Sequence, residues 1–240
     1  MKKLLFLGLL LSPLLASIAT NASVPPSKEK ITFYQVPLVC SADLSIGCGS
    51  QAKPALLDME KNPTVKEAWI NRQGTMIAVV WKGEEQTNQV ARPIFARYDI
   101  DFAAVKQDEQ KRQQQTFRQA ALWYKGAAVD QLSLKEAVTI VSRYVGFALQ
   151  QKLITTTEAG KIRPEIEQHF RSELVKIRTL EQLYGDDATA FRQAATRIFT
   201  KYTNPARTAK ITERYSEYEQ ARCQERCSIK ASCCKKPIQL

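Results

Sequence analysis

The chain has 240 residues, and its 35 Lys and Arg side chains against 24 Asp and Glu give a formal charge of +11. Its single histidine, His169, excludes catalytic or metal sites built from two or more histidines, and the chain has no phosphate-binding glycine loop or serine-hydrolase motif. We therefore expect no enzymatic activity, and the six cysteines remain as the side chains best suited to specific chemistry.

The first 22 residues have the pattern of a secretory signal peptide. Two lysines precede an apolar run at 4–15, which is shorter than the roughly 20 residues that a membrane-spanning helix needs. Small residues follow and predict cleavage after Ala19 or Ala22. We therefore expect a periplasmic or secreted protein with a signal peptide at 1–22 and no transmembrane anchor.

Residues 30–105 alternate between strand and helix patterns. The predicted order is β-α-β-β-α-β, over residues 31–39, 51–62, 65–72, 75–81, 84–98 and 99–105. Gln73 and Gly74 predict the hairpin turn between the second and third strands. This order is typical of the ferredoxin-like split arrangement, so we predict a ferredoxin-like domain at 30–105.

Residues 106–222 lose the strand alternation and predict an all-α domain, which makes the whole chain α+β. Ser133 and Glu136 have the spacing of a capping box and predict a helix that starts at Ser133. Residues 23–105 hold nine basic and nine acidic side chains, so the positive excess of the mature chain lies in 106–240. Such a region suits an anionic membrane surface or an acidic protein rather than nucleic acid, although a solvated basic face is an equal alternative.

Cys40 and Cys48 flank the junction between the first predicted strand and the first predicted helix. Two converging thiolates are ligands that suit soft metal ions, and a helix N-terminus is expected to lower the pKa of the Cys48 thiol. Gly47 and Gly49 are expected to let the backbone come close at this point. The spacing by itself favours a structural disulfide, so both states stay open from the residues alone.

The segments ITFYQVPLVC, NPTVKEAWINRQGTMIAVVW and ARYDIDFAAV resemble a heavy-metal-associated (HMA-like) domain over residues 31–105. The periplasmic mercury-binding protein and the copper chaperones belong to this family. The resemblance implies a βαββαβ fold in which Cys40 and Cys48 hold a thiophilic ion such as Cu(I), Zn(II) or Hg(II). Family members have two residues between these cysteines, and this chain has seven.

A basic tail at 223–240 holds four further cysteines as secondary metal candidates: Cys223, Cys227, Cys233 and Cys234. Their spacing matches no standard zinc module, and two disulfides are the favoured state in an oxidising compartment.

Two functions follow from these patterns. The first is a secreted or periplasmic soft-metal-binding protein that buffers a thiophilic ion or hands it to a metal transporter or envelope protein. The second is a secreted interaction module, whose cysteines form structural disulfides and whose basic helical half docks to a membrane or protein partner.

Overall fold

The computed structural model describes residues 29–227, except for the side chains of residues 184, 186–188, 223 and 225–227. The predicted signal peptide at 1–22 and the tail positions Cys233 and Cys234 lie outside the described residues. The fold is α+β, which confirms the predicted class. Within the described part of the chain, no helix combines the length and apolar character needed to cross a membrane.

A five-stranded antiparallel sheet forms the first part of the fold, with the strand order β4-β1-β3-β2-β5. Three helices connect its strands: α1 (Gly49–Glu60) follows β1, α2 (Arg92–Arg97) follows β3 after one π-helical turn at Thr87–Ala91, and α3 (Gln107–Thr116) follows β4. The strands are β1 (Lys30–Gln35), β2 (Val65–Asn71), β3 (Met76–Trp81), β4 (Ala103–Ala104) and β5 (Trp123–Tyr124).

Strand β3 is apolar along its whole length because both faces of the sheet are covered. On one face, Ile77 and Val79 pack with side chains of α1 and α2. On the other face, Met76 and Ala78 pack with Trp123 of β5. Successive side chains of a strand point to opposite faces, so this alternation assigns every second residue of β3 to each core.

Strand β5 lies beyond residue 105, inside the range that was predicted to be helical throughout. It pairs with β2, while Phe117 packs edge-to-face against Phe33 of β1. The strand is only two residues long and follows a glutamine-rich stretch, so its alternation is too short to be visible in the sequence. The sheet therefore extends to Tyr124, and the helical part of the chain follows it.

Five helices build a second apolar core: α4 (Asp130–Gln150), α5 (Thr156–Leu174), α6 (Leu180–Tyr184), α7 (Asp186–Tyr202) and α8 (Pro205–Cys227). Helix α5 begins with a capping box in which Thr155 and Glu158 bond reciprocally to each other's backbone. Helix α3 (Gln107–Thr116) precedes these helices and has no buried residue.

The predicted start of a helix at Ser133 is wrong. Helix α4 begins at Asp130, directly after a 3-10 turn, and Ser133 and Glu136 lie inside the helix. Both are buried, because they face the N-terminal end of α1 instead of capping their own helix. As a result, the Glu136 carboxylate lies beside Cys48 and close to Cys40.

Candidate functional site: a buried pair of thiols

A short antiparallel ladder brings Cys40 and Cys48 together. Val39 and Gly47 form an isolated bridge, the Cys40 N–H donates to the Ile46 carbonyl, and the Cys48 N–H donates to the Leu38 carbonyl, both at 2.8 Å. In such a ladder, the residues on either side of the bridge share one face. Cys40 and Cys48 are therefore diagonal neighbours on the same face, and they pack with Ile46 in one buried cluster.

Glycines allow this ladder to pack tightly against its neighbours. A Cβ added at Gly47 would lie 2.8 Å from the Cα of Gly74, in the turn between β2 and β3. A Cβ added at Gly49 would lie 2.5 Å from the backbone nitrogen of Ser133 on α4. Close backbone approach is the role predicted for Gly47 and Gly49, and here the neighbouring backbone belongs to the protein itself.

The carboxylate of Glu136 occupies the N-terminal end of α1, where Cys48 is the N-cap residue. It accepts hydrogen bonds from the Ser50 N–H at 3.2 Å and from the Ser50 hydroxyl at 3.0 Å. It also accepts a hydrogen bond from the Cys48 thiol, whose Sγ lies 3.1 Å from Oε1. A carboxylate from another helix thus satisfies the backbone donor that an N-cap side chain normally bonds.

Both thiols are protonated groups in this environment. Burial raises the pKa of Cys40 to about 12, and the nearby Glu136 carboxylate adds to the increase. Burial and Glu136 also raise the pKa of Cys48 well above its usual value. The expectation of a lowered pKa for Cys48 is therefore wrong, because burial, together with the charge of Glu136, outweighs the field of the helix N-terminus.

Arg143 of α4 holds the segment between the two cysteines. Its guanidinium donates to the Ser41 carbonyl at 2.8 Å, and it also bonds the Tyr215 hydroxyl and the Glu219 carboxylate of α8. The charge of Arg143 lies close enough to Cys40 to oppose the rise in the pKa of that thiol. Helix α8 is therefore connected to the cysteine segment through one arginine.

The structure does not describe the side chains of the four tail cysteines. Cys223 and Cys227 lie in the last part of α8, where their side chains are not described, and Cys233 and Cys234 fall beyond residue 227. The ring of His169 lies between Phe170 and Phe191, with centroid distances of 6.2 and 6.3 Å.

Cys40 and Cys48 are both free thiols. Among the side chains that the structure describes, no group of three or more His, Cys, Asp or Glu is arranged to hold a metal ion. Two buried sulfur atoms can serve a soft ion that accepts low coordination, whereas structural zinc requires four ligands. The donor set thus suits Cu(I) or Hg(II) better than Zn(II).

Glu136 and Arg143 are the site residues that sequence reasoning missed. A signal for Glu136 was present, because Leu132, Glu136 and Ile140 recur at four-residue spacing and therefore share one face of α4. An acidic residue on an otherwise apolar helix face indicates a buried carboxylate with a specific partner. No comparable pattern identifies Arg143, since its partners lie 72 and 76 residues away in the chain.

Comparison of the chain with family models, curated proteins and solved structures found no match.

Proposed function

We propose that this protein binds a thiophilic metal ion, Cu(I) or Hg(II), through Cys40 and Cys48. The observation that carries the proposal is the pair of free, buried thiols on one face of a short ladder. Two thiolates would give such an ion a low-coordinate site, and the burial of both sulfurs limits the access of competing water ligands. Binding releases the thiol protons, so affinity is expected to increase with pH.

The frame around the thiols supports an HMA-like domain within this proposal. Strands β4-β1-β3-β2 have the order of a ferredoxin-like sheet, with α1 after β1 and α2 after β3. The cysteines lie between β1 and α1, where the resemblance to the heavy-metal-associated family predicts the ligands. Strand β5 is an addition at the outer edge of β2.

In this proposal the protein works in the periplasm or outside the cell, where it buffers the ion or passes it to a metal transporter or envelope protein. Burial of the thiols favours retention over rapid exchange, because a bound ion is removed from water and from competing ligands. Transfer therefore requires the site to open.

A competition titration with Cu(I) tests the proposal. The reduced, full-length protein is compared under anaerobic conditions with Cys48→Ser and with a tail variant in which all four tail cysteines are serine. We expect Cys48→Ser to lower the affinity by roughly a hundredfold or more, since loss of a direct ligand exceeds the 10–100-fold typical of an outer-shell partner. The tail variant should keep nearly the full affinity of the Cys40 and Cys48 site.

Loss of tight binding only in the tail variant would overturn the proposal, because the tail would then be the metal site and the sheet a scaffold. This outcome has a physical basis, since four thiols among Arg and Lys side chains are more easily ionised than two buried ones.

The alternative is a secreted interaction module, and the positive excess in 106–240 is the observation that favours it. In that case all six cysteines form structural disulfides, and the basic helical half docks to an anionic membrane or an acidic protein. Thiol counting on natively isolated protein separates the two functions. If all six thiols react only after reduction, the interaction module is favoured. If thiols react without reduction, and bound metal protects them from the reagent, the metal site is favoured.

A further inference from the structure

The segment at residues 41–45 is the exposed part of the chain between the two cysteines. Leu44 at its tip is 66% exposed, whereas Cys40, Ile46 and Cys48 at its base are buried. Its local hydrogen bonds run from the Ser45 N–H to the Asp43 carboxylate in an Asx turn, from the Ile46 N–H to the Asp43 carbonyl, and from the Ala42 N–H to the Cys40 sulfur. Ala42 packs against the cysteine cluster and the helical core, so the position of the segment depends on a few contacts to the rest of the protein.

Arg143 supplies such a contact. Its side chain is only 13% exposed, and its bond to the Ser41 carbonyl joins the segment to α4. Hydrogen bonds from a charged donor are stronger than those between neutral groups, which makes this contact significant for so short a segment.

Helix α8 fixes the position of the arginine. The Tyr215 hydroxyl accepts from Nε of Arg143 at 3.3 Å, and the Glu219 carboxylate lies 3.1 Å from its Nη2. Tyr215 itself packs against Tyr144 of α4, with ring centroids 4.2 Å apart. The guanidinium is therefore held at one end by a packed helix and bonds the cysteine segment at the other.

We propose that Arg143 is a latch that holds the 41–45 segment closed over Cys40 and Cys48 and so controls access to them. The inference deepens the proposed function, because metal entry and release would require this latch to open. Closed, it keeps both thiols buried; open, it exposes them while the sheet and helical cores stay intact.

Alkylation of the metal-free, reduced protein with iodoacetamide tests the latch. The labelling rates of Cys40 and Cys48 are measured separately by mass spectrometry of chymotryptic peptides, because cleavage after Leu44 divides them. We expect Arg143→Ala to accelerate both by about tenfold or more, since losing a charge-assisted hydrogen bond changes a local opening equilibrium by that order. Tyr215→Phe combined with Glu219→Gln should give a smaller acceleration, because Arg143 keeps its bond to Ser41.

Arg163→Ala is the matched control. Its guanidinium bonds the Ser142 hydroxyl, next to Arg143 on α4, but has no bond to the cysteine segment. Hydrogen exchange recorded on the same variants separates a latch from general instability. Exchange that increases in 41–48 alone supports the latch. Unchanged labelling in Arg143→Ala, an equal acceleration in Arg163→Ala, or faster exchange throughout the core would overturn it. None of these readings uses metal, so the latch can fail while the metal site stands.

Discussion

At the scale of single residues, burial and the Glu136 carboxylate together raise the pKa of the two thiols. A thiol at a helix N-terminus normally has a lowered pKa, because the terminal N–H groups stabilise the thiolate. Here the buried carboxylate of Glu136 accepts hydrogen bonds from the Ser50 N–H and from the Cys48 thiol, so a negative charge already occupies this position. Burial and this carboxylate keep the thiols protonated and unreactive until a metal ion with high affinity for sulfur displaces their protons.

Glu136→Gln should lower the pKa of the Cys48 thiol, because it removes the carboxylate charge while the amide oxygen still accepts from Ser50. The measurement is the pH dependence of alkylation at Cys48, whose midpoint is expected to move to lower pH. Glu173→Gln removes a half-buried carboxylate of α5 that pairs with Lys176; it is the control and should leave the midpoint in place. A midpoint that stays the same or rises in Glu136→Gln would show that burial alone sets the pKa.

At the scale of elements, the position of α1 against α4 depends on a glycine. Gly49 is the first residue of α1, and its Cα faces Ser133 so closely that a Cβ would lie 2.7 Å from the Ser133 hydroxyl. This contact brings the N-terminal end of α1 to Glu136. The two helices cannot separate without removing the carboxylate from Ser50 and Cys48.

Gly49→Ala should therefore destabilise the protein by about 1–3 kcal/mol, the usual cost of forcing extra volume into a packed contact. Gly146→Ala in the middle of α4 is the matched control, because a Cβ there meets no atom within 4 Å. Alanine in a helix interior should stabilise that variant by roughly 0.5–1 kcal/mol. Urea unfolding measures both. If the two substitutions had the same effect, Gly49 would have no steric role.

The sequence predicts the elements of the sheet better than the contacts of the helices. Strand β3 carries a strong local signal, an unbroken apolar run, and it is found near its predicted position. Strand β5 is too short to have a signal. The pairing of Glu136 with Cys48 joins residues 88 apart, and no local pattern encodes a contact at that separation.

At the scale of the whole molecule, ion pairs tie the helical part of the chain to the sheet. The buried Lys53 of α1 pairs with Asp130 at the start of α4 and donates to the Val175 carbonyl after α5. In the sheet, Glu67 of β2 pairs with Arg118 and Lys125, which flank strand β5. These ion pairs link residues on both sides of the change in charge at residue 105.

Glu67 should make stability depend on acid pH. Partial burial raises the pKa of this carboxyl, but hydrogen bonds from Lys125, Arg118 and Trp69 outweigh it and lower the pKa to about 2. A lowered folded-state pKa contributes stability above the usual value near 4.5, and that stability is lost as pH falls through about 2.

We expect Glu67→Gln to reduce the free energy of unfolding by about 1 kcal/mol at neutral pH and to flatten its decline between pH 4.5 and 2. Glu217→Gln, an exposed carboxylate on α8, should leave the curve unchanged. Denaturation at a series of pH values gives the comparison. Parallel curves for Glu67→Gln and the unmodified protein would mean that these bonds do not hold β5 on the sheet.

X-ray absorption at the copper K-edge tests the two-thiol site most directly. The sample is the anaerobic Cu(I)-loaded protein with serine in place of all four tail cysteines, so that Cys40 and Cys48 are its remaining sulfur ligands of thiol type. We expect two sulfur neighbours around copper and no third ligand. A shell of nitrogen or oxygen atoms, or of three or more sulfur atoms, would contradict it.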